Sequence, residues 1–454
     1  MRDLALLLAF MAVVPFIFRR PAVGVLVYAV FSLMNPHRLA YGFAYGLPFA
    51  QLTFIFTFIS LVFSKEPKKI PMAGVPVVMI ILFAYMTFTT FIAQEQVGAW
   101  FEWNRVWKTY LMILLTIAAL RTPEDVRALA WTVGLSLGFW GFKGGLFTVL
   151  SGGSSHVLGP ASTYISDNNT LALSQIVVIP LLYFMYLDAT HKWLKRACFA
   201  LVFFTVCAAI GSYSRGAMLG GAAMLGFLWL KSRYKVRTGL VMLAVLPLIF
   251  LLMPEQWFGR MGTIENYEED ASAMGRINAW VFAMNVASDH IFGGGFKVFT
   301  ARMFQLYAPD PTAVHVAHSI YFQVLGEHGY LGLTLFLTML FCAWRSGTRV
   351  LRYAKDKPEL KWASDLAAMA QVSMVGYMAG GAFLSLPWYD LPYYVYAILT
   401  LIEKVVLRMP PQEPIPRLWG FPKRAFSARK PGASTGAKAS HPARPHTSTS
   451  TTGG

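Results

Sequence analysis

The sequence predicts an all-α fold: a polytopic integral membrane protein with about 12 transmembrane helices and a long external loop containing short helices. Three observations predict it. Of 454 residues, 56% are hydrophobic and only 13% charged, against about 25% charged in an ordinary soluble domain. The stretches 72–93, 197–214, 216–230 and 238–253 carry no charge, and a span needs about 17–25 mostly apolar residues. These runs are continuous instead of alternating, which selects helices over a barrel as the structure that satisfies every backbone group in lipid.

In chain order, apolar helices are expected near 4–18, 21–34, 48–64, 71–92, 103–120, 127–149, 170–188, 196–212, 216–230, 238–253, 319–343, 363–385 and 392–405. The first two are short for a full crossing and form a candidate hairpin, so the count is 12 or 13. MRDLALLLAFMAVVPFIFRR (1–20) lacks a small-residue cleavage site and runs into a second apolar stretch, so no cleavable signal peptide is expected. Cys198, Cys207 and Cys342 are dispersed in apolar runs, suggesting neither a disulfide framework nor a metal cluster. From about Pro410 the chain is rich in Pro, Ser, Thr and Gly without apolar periodicity, the composition of a disordered tail.

The net charge of +17 collects in SKEPKK (64–69), HKWLKR (191–196), KSRYKVR (231–237), RSGTRVLRYAKDK (345–357) and the tail after Glu403. Basic loops stay cytoplasmic, so this charge needs no nucleic-acid partner. The rule puts 35–47, 150–169, 254–318 and 386–391 outside. Segment 254–318 is much the longest of these, and loops of such length are usually functional. It holds the acidic string ENYEED (265–270) and an expected amphipathic helix, GRINAWVFAMNVASDH (275–290).

The residues with chemical potential gather on that external side. In GSYSRGAMLGG (211–221), Arg215 stands where positive-inside logic disfavours it. One reading is a snorkelling residue at a helix end. The other is an anion site, since a guanidinium fork matches phosphate oxygens and the adjoining helix N-terminus favours anions. Arg260, Arg276 and Lys297 are further external cations, and Arg276 shares a helical face with Trp280 at i, i+4; a salt bridge to 265–270 is the competing role for Arg276. FGGG (292–295) reads as a flexible loop able to approach a ligand, a weak signal alone.

HVAHSIYFQVLGEHGYLG (315–332) carries three histidines and a glutamate into an apolar run, where a charged group costs roughly 2.5–3.5 kcal/mol at a helix centre. Ser319 is a candidate helix cap. Glu327 lies nine residues beyond His318, about 180° around and roughly 13 Å along a straight helix, so the two form no direct dyad there. His315 and His318 lack the order and third ligand of a zinc site. A structural histidine is the simplest reading of His315 and His328. His318 also suits a general base, its ordinary pKa being near 6.5, and Glu327 a buried partner of a neighbouring helix. In VLGPASTYISDNNTLAL (157–173), Asp167, Asn168 and Asn169 either cap a helix or bind sugar hydroxyls. Asp390 in SLPWYDLPYY (385–394) has the aromatic surroundings of a sugar site, although Trp and Tyr also form interfacial belts. D-x-D, Walker, G-x-S-x-G and cysteine–histidine patterns are absent from the sequence.

Arginine in a Ser-x-Ser-Arg-Gly turn, a long loop with a second arginine, then His-Ser-x-Tyr with Glu-x-Gly nine residues later resemble the O-antigen ligase and polymerase superfamily. MRDL…MNPHRL, GPASTYISDNN and HSIYFQVLGEHGYLG resemble the branch described as O-glycosylation ligases associated with exosortase systems. The resemblance covers roughly residues 1–405, though Ser319 stands where the family pattern commonly has Asn. It implies a multi-pass glycosyltransferase of the bacterial inner membrane, its active site facing the periplasm: 1–405 is the transmembrane domain, 254–318 its periplasmic catalytic loop and 406–454 a cytoplasmic tail. It further implies an undecaprenyl-pyrophosphate-linked glycan as donor and the outer sugars of lipid A-core as acceptor.

The residues read above are compatible with His318 as base and Arg215 and Arg276 as pyrophosphate clamps. Arg260, Lys297, His315, Asn168, Asn169, Asp390 and Glu327 are then expected to bind substrate. No cofactor or metal is expected, and the partners are the two lipid-linked substrates and membrane lipids. An O-antigen polymerase or a protein O-oligosaccharyltransferase would use the same donor. A lipid-linked sugar transporter is the reading of another class; it calls for inverted repeats, and no clear internal repeat is seen.

Overall fold

The computed structural model describes residues 1–65, 68, 70–231, 235, 236, 239, 240, 243, 253–262 and 271–408. The expected helix 238–253, the acidic string 265–270 and the tail from 409 onward lie outside the described residues, apart from 239, 240, 243 and 253. The described chain is helical and, among those residues, contains no strand.

The helices are α1 (Arg2–Arg19), α2 (Pro21–Ala29, prolonged by a π turn Val30–Met34), α3 (Phe49–Phe63), α4 (Val75–Phe91), α5 (Gln96–Ala119), α6 (Pro123–Leu150), α7 (Asn168–Asp188), α8 (Lys192–Ile210) and α9 (Arg215–Lys231). They continue with α10 (Glu255–Gly262), α11 (Ala271–Asp289), α12 (Ala301–Tyr307), α13 (Ile320–Tyr353), α14 (Lys361–Gly381) and α15 (Asp390–Glu403). Four of them, α6, α7, α8 and α13, are long and apolar enough to cross a membrane by length and composition.

Boundaries follow local chemistry. Thr122 and Asp125 close a reciprocal capping box on α6, which satisfies two orphan N–H groups. Asp167 caps α7 by accepting from Asn169 N and Thr170 N, and Ser319 caps α13 through Phe322 N. Two boundaries differ from expectation. α5 begins at Gln96 because the amphipathic stretch QVGAWFEW is helical as well as the apolar run after it. α13 runs to Tyr353, so most of the basic segment 345–357 is helix and not loop.

Every residue of α15 is buried, and it packs against α5, α6, α13 and α14. Small residues bring α9 and α14 together: a Cβ on Gly220 would lie 2.9 Å from Gly380 Cα and 3.0 Å from Gly376 O. This small-xxx-small contact is how helices associate when lipid supplies no hydrophobic drive. Segment 254–318 has its own small core of Ala279, Phe282, Val286, Val298, Met303 and Phe304. α10 and α12, which break that segment up, are only eight and seven residues long, too short for an apolar period to stand out in the sequence.

α13 is broken at Gly329, whose φ of 65° and ψ of −170° are non-helical. The break releases carbonyls that need donors, because an unpaired buried backbone group is costly. The FGGG segment supplies them: Gly294 N donates to Gly326 O (2.9 Å) and Gly295 N to Glu327 O (2.7 Å), while Tyr85 Oη donates to His328 O (2.9 Å). Gly293, at φ 74°, sits so close that a Cβ would lie 2.5 Å from Gly329 N. The glycine run is therefore a fixed plug over a broken helix, not a flexible ligand loop.

Candidate active site

The helix ends on one side of the bundle enclose a cavity of about 310 Å³. His318, Lys297, Glu327 and Asn169, all expected from the sequence, line it. They reach it from four places: the start of α13, the turn after the glycine plug, the first helical turns of α13 and the start of α7.

His318 has φ 43°, the left-handed region that costs a non-glycine residue roughly 1–2 kcal/mol. Lys297 (φ 60°), Tyr213 (φ 60°) and Ser162 (φ 59°) share that conformation on the same side of the molecule. Clustered strain of this kind points to a functional site. The turn carrying His318 is held from above by α11: Trp280 Nε1 donates to Ala317 O (2.8 Å), and the indole stacks on Phe322 at 5.0 Å between centroids.

Arg276, one turn before Trp280, is thereby brought near His318. Burial holds the His318 imidazole below its ordinary pKa of 6.5, reinforced by the Arg276 charge and His315, with Asp167 opposing. Its free-base form is favoured, as a proton acceptor requires.

Glu327 is anchored on several sides. Its Oε2 accepts from Trp388 Nε1 (2.7 Å), and Oε1 accepts from Lys297 N (3.2 Å) and Gln323 Nε2 (3.3 Å). Lys297 Nζ lies 3.3 Å from Glu102 Oε2, and Glu102 Oε1 accepts from Tyr164 Oη (2.9 Å). One carboxylate thus orders the α13 start against the loop before α15, and the other joins α5 to the loops that carry Tyr164 and Lys297.

The remaining expected residues fall elsewhere. Arg215 opens α9 after Ser214, whose Oγ accepts from Ala217 N (3.3 Å); the next residue, Gly216, packs against Phe383 and Leu384, and Leu384 lines the cavity. Asn168 Nδ2 donates to Ser212 O (2.8 Å), so it ties α7 to the Arg215 turn and does not line the cavity. His315 is exposed and packs on Gly275. Asp390, expected to meet sugar, is instead buried and accepts from Thr109 Oγ1; it too is absent from the lining. The Arg260 side chain lies outside the described residues.

Sequence reasoning did not single out Glu102, Tyr164, Gln323 or Trp388, all of which line the cavity. The signal for Glu102 was present: a lone carboxylate among aromatics in AWFEWNRVW (99–107).

Comparison with known families now bears on this geometry. Residues 198–337, which contain Arg215, Arg276, Lys297, His318 and Glu327, match the O-antigen ligase family. This segment supports the chain's resemblance to the O-antigen ligase superfamily. Residues 1–190 match a family of unknown function (DUF5935), and no curated protein matches the chain. The O-antigen ligase domain at 198–337 supports a glycosyl-transfer enzyme of ligase or polymerase type in a bacterial membrane. Seven of the expected site residues lie within the O-antigen ligase match, Asn168 and Asn169 lie in the other, and Asp390 is outside both.

Proposed function

We propose that the protein is an inner-membrane ligase that transfers a glycan from undecaprenyl pyrophosphate to an outer-core sugar of lipid A-core on the periplasmic face. In this reading about 12 helices cross the membrane, and segment 254–318 covers the site. The observation that carries it is the pairing of His318, depressed in pKa and facing a cavity, with Arg276 beside it inside an O-antigen ligase domain.

His318 takes the proton from the acceptor hydroxyl as that oxygen bonds to the anomeric carbon. The bond from that carbon to the pyrophosphate oxygen breaks, and its electron pair leaves with the lipid pyrophosphate. Arg215 and Arg276 stabilise the departing charge; charge-assisted guanidinium contacts of this type are strong and strengthen as charge develops. Attack from the face opposite the leaving group inverts the anomeric centre. Arg260 and Lys297 are weaker candidates for the same cationic role, and the polar residues tolerated at the membrane boundary open into a wet cavity.

The test incubates purified protein, with EDTA present, with undecaprenyl-pyrophosphate-linked glycan and lipid A-core. A glycan-extended core formed by wild type and lost in His318→Ala is the expected result. Longer glycan on the lipid carrier without core extension would instead assign a polymerase, and no transfer to any acceptor would overturn an enzymatic role.

A further inference from the structure

We infer that Asn168 is a positioning residue that holds the Arg215 turn in register with the His318 cavity through its hydrogen bond to Ser212. This rests on the transferase reading and adds to it a residue that touches no substrate. The turn between α8 and α9 reverses the chain through Tyr213, whose φ of 60° is left-handed. A non-glycine residue keeps that conformation only where its surroundings over-determine it. The planar Ser212–Tyr213 peptide turns as one body about that φ, and its carbonyl is the group that Asn168 Nδ2 meets at 2.8 Å. Two further bonds hold the flanks: Val157 N donates to Gly211 O at 3.1 Å, and Tyr213 Oη donates to Gly153 O.

The hydroxyls of the turn serve its backbone. Ser212 and Ser214 are buried; Ser212 Oγ donates to Ala209 O (2.6 Å) and accepts from Ser214 N (3.3 Å), while Ser214 Oγ accepts from Ala217 N. The charge that the turn offers a ligand is therefore that of Arg215. Asn168 differs from the other clamps in where it comes from. It is the first residue of α7, and its neighbours Asp167, Asn169 and Thr170 line the cavity together with His318. Asp167 accepts from Asn169 N and Thr170 N, and Asn169 Nδ2 donates to Asn168 Oδ1 at 3.4 Å, so this helix start is held as one unit. A single helical turn thus sets the spacing between the proposed base and a proposed leaving-group cation. Inverting transfer needs them on opposite faces of the anomeric carbon, and a misplacement of about 1 Å in such a geometry lowers a rate by about 10²-fold.

The test compares wild type, Asn168→Ala, Arg215→Gln and the double variant as full-length protein in nanodiscs, with rates scaled to folded protein. Asn168→Ala should slow transfer at saturating lipid A-core by about 10–100-fold, with the acceptor KM within about twofold. The double variant should be no slower than Arg215→Gln, because a residue that acts through the guanidinium then has nothing left to position. Asn168→Asp keeps the side chain's shape and an acid favoured at a helix start, yet lacks the N–H donor, and should be as slow as Asn168→Ala. Losses that multiply in the double variant, or wild-type rates in either Asn168 variant, would overturn the inference and leave the transferase reading standing. Should wild type transfer glycan to no acceptor, undecaprenyl pyrophosphate binding, read by intrinsic tryptophan fluorescence, decides instead. Asn168→Ala and Arg215→Gln each weakening it by about tenfold, and both together no further, would sink the transferase reading alone. Binding unaltered in Asn168→Ala, or losses that multiply, would overturn both.

Discussion

The two ends of the helical bundle use charge in opposite ways. At the end opposite the cavity, charges are closed against partners. Arg20 meets Asp125 at 2.6 Å, and Asp125 also accepts from Arg121 N and Thr122 N at 3.1 Å each. Lys404 Nζ donates to Ile117 O (2.6 Å) and Leu120 O (3.2 Å), capping the end of α5. Asp188 takes Trp131 Nε1 (2.9 Å) and Arg127 (3.6 Å), and Arg349 pairs with Glu403. At the cavity end Arg302 closes on Glu95 at 2.9 Å, but the Glu102 ion pairs are long and left-handed backbone collects at His318, Lys297, Tyr213 and Ser162. One end is built for stability; in the proposed reading the other gives up part of that stability to hold catalytic groups.

Substitutions at the two ends should therefore separate activity from stability. The largest effect is expected at His318. His318→Ala should lower transfer by about 10²–10⁴-fold, the usual worth of a positioned acid–base group. His318→Gly should be equally inactive yet more heat-stable by about 1 kcal/mol, because glycine tolerates φ 43°; a lower thermal midpoint would contradict the strain argument. Next comes Arg276→Gln, with an expected loss in transfer of about 10²–10³-fold and an unchanged midpoint.

The other end predicts the reverse. Asp125→Ala removes a capping box and a shielded ion pair, and should cost about 3 kcal/mol of stability while the remaining folded protein transfers glycan normally. Transfer lost in proportion to nothing but Asp125 would break the comparison. The smallest effect on activity is expected at Asp390→Asn: its carboxylate is buried on Thr109, so transfer measured per folded molecule should stay within about threefold.

Much of this division was legible in the sequence. Uncharged runs located the helices. His318 and Arg276 were readable because they are unusual residues in one stretch of chain. Glu102 was not, because what defines it is Lys297 and Tyr164, 195 and 62 residues away in sequence, and no local period encodes such a meeting. Asp390 misled for the same reason: aromatic neighbours in sequence say nothing of Thr109, which occupies its carboxylate. The FGGG run was ambiguous until the break at Gly329 showed which carbonyls its N–H groups had to meet.

The central claim is that His318 is a free base whose proton affinity is lowered by its position beside Arg276. Burial and the Arg276 charge hold its pKa below 6.5, so the unprotonated form persists at neutral pH and is lost only as pH falls through that lowered value. Removing the guanidinium charge removes part of the depression and moves the loss to higher pH. The most direct measurement is the acid limb of single-turnover transfer for wild type and Arg276→Gln. The account predicts a wild-type midpoint below 6.5 that shifts upward in the variant. A limb at the same pH in both proteins, or one that persists in His318→Ala, would contradict it.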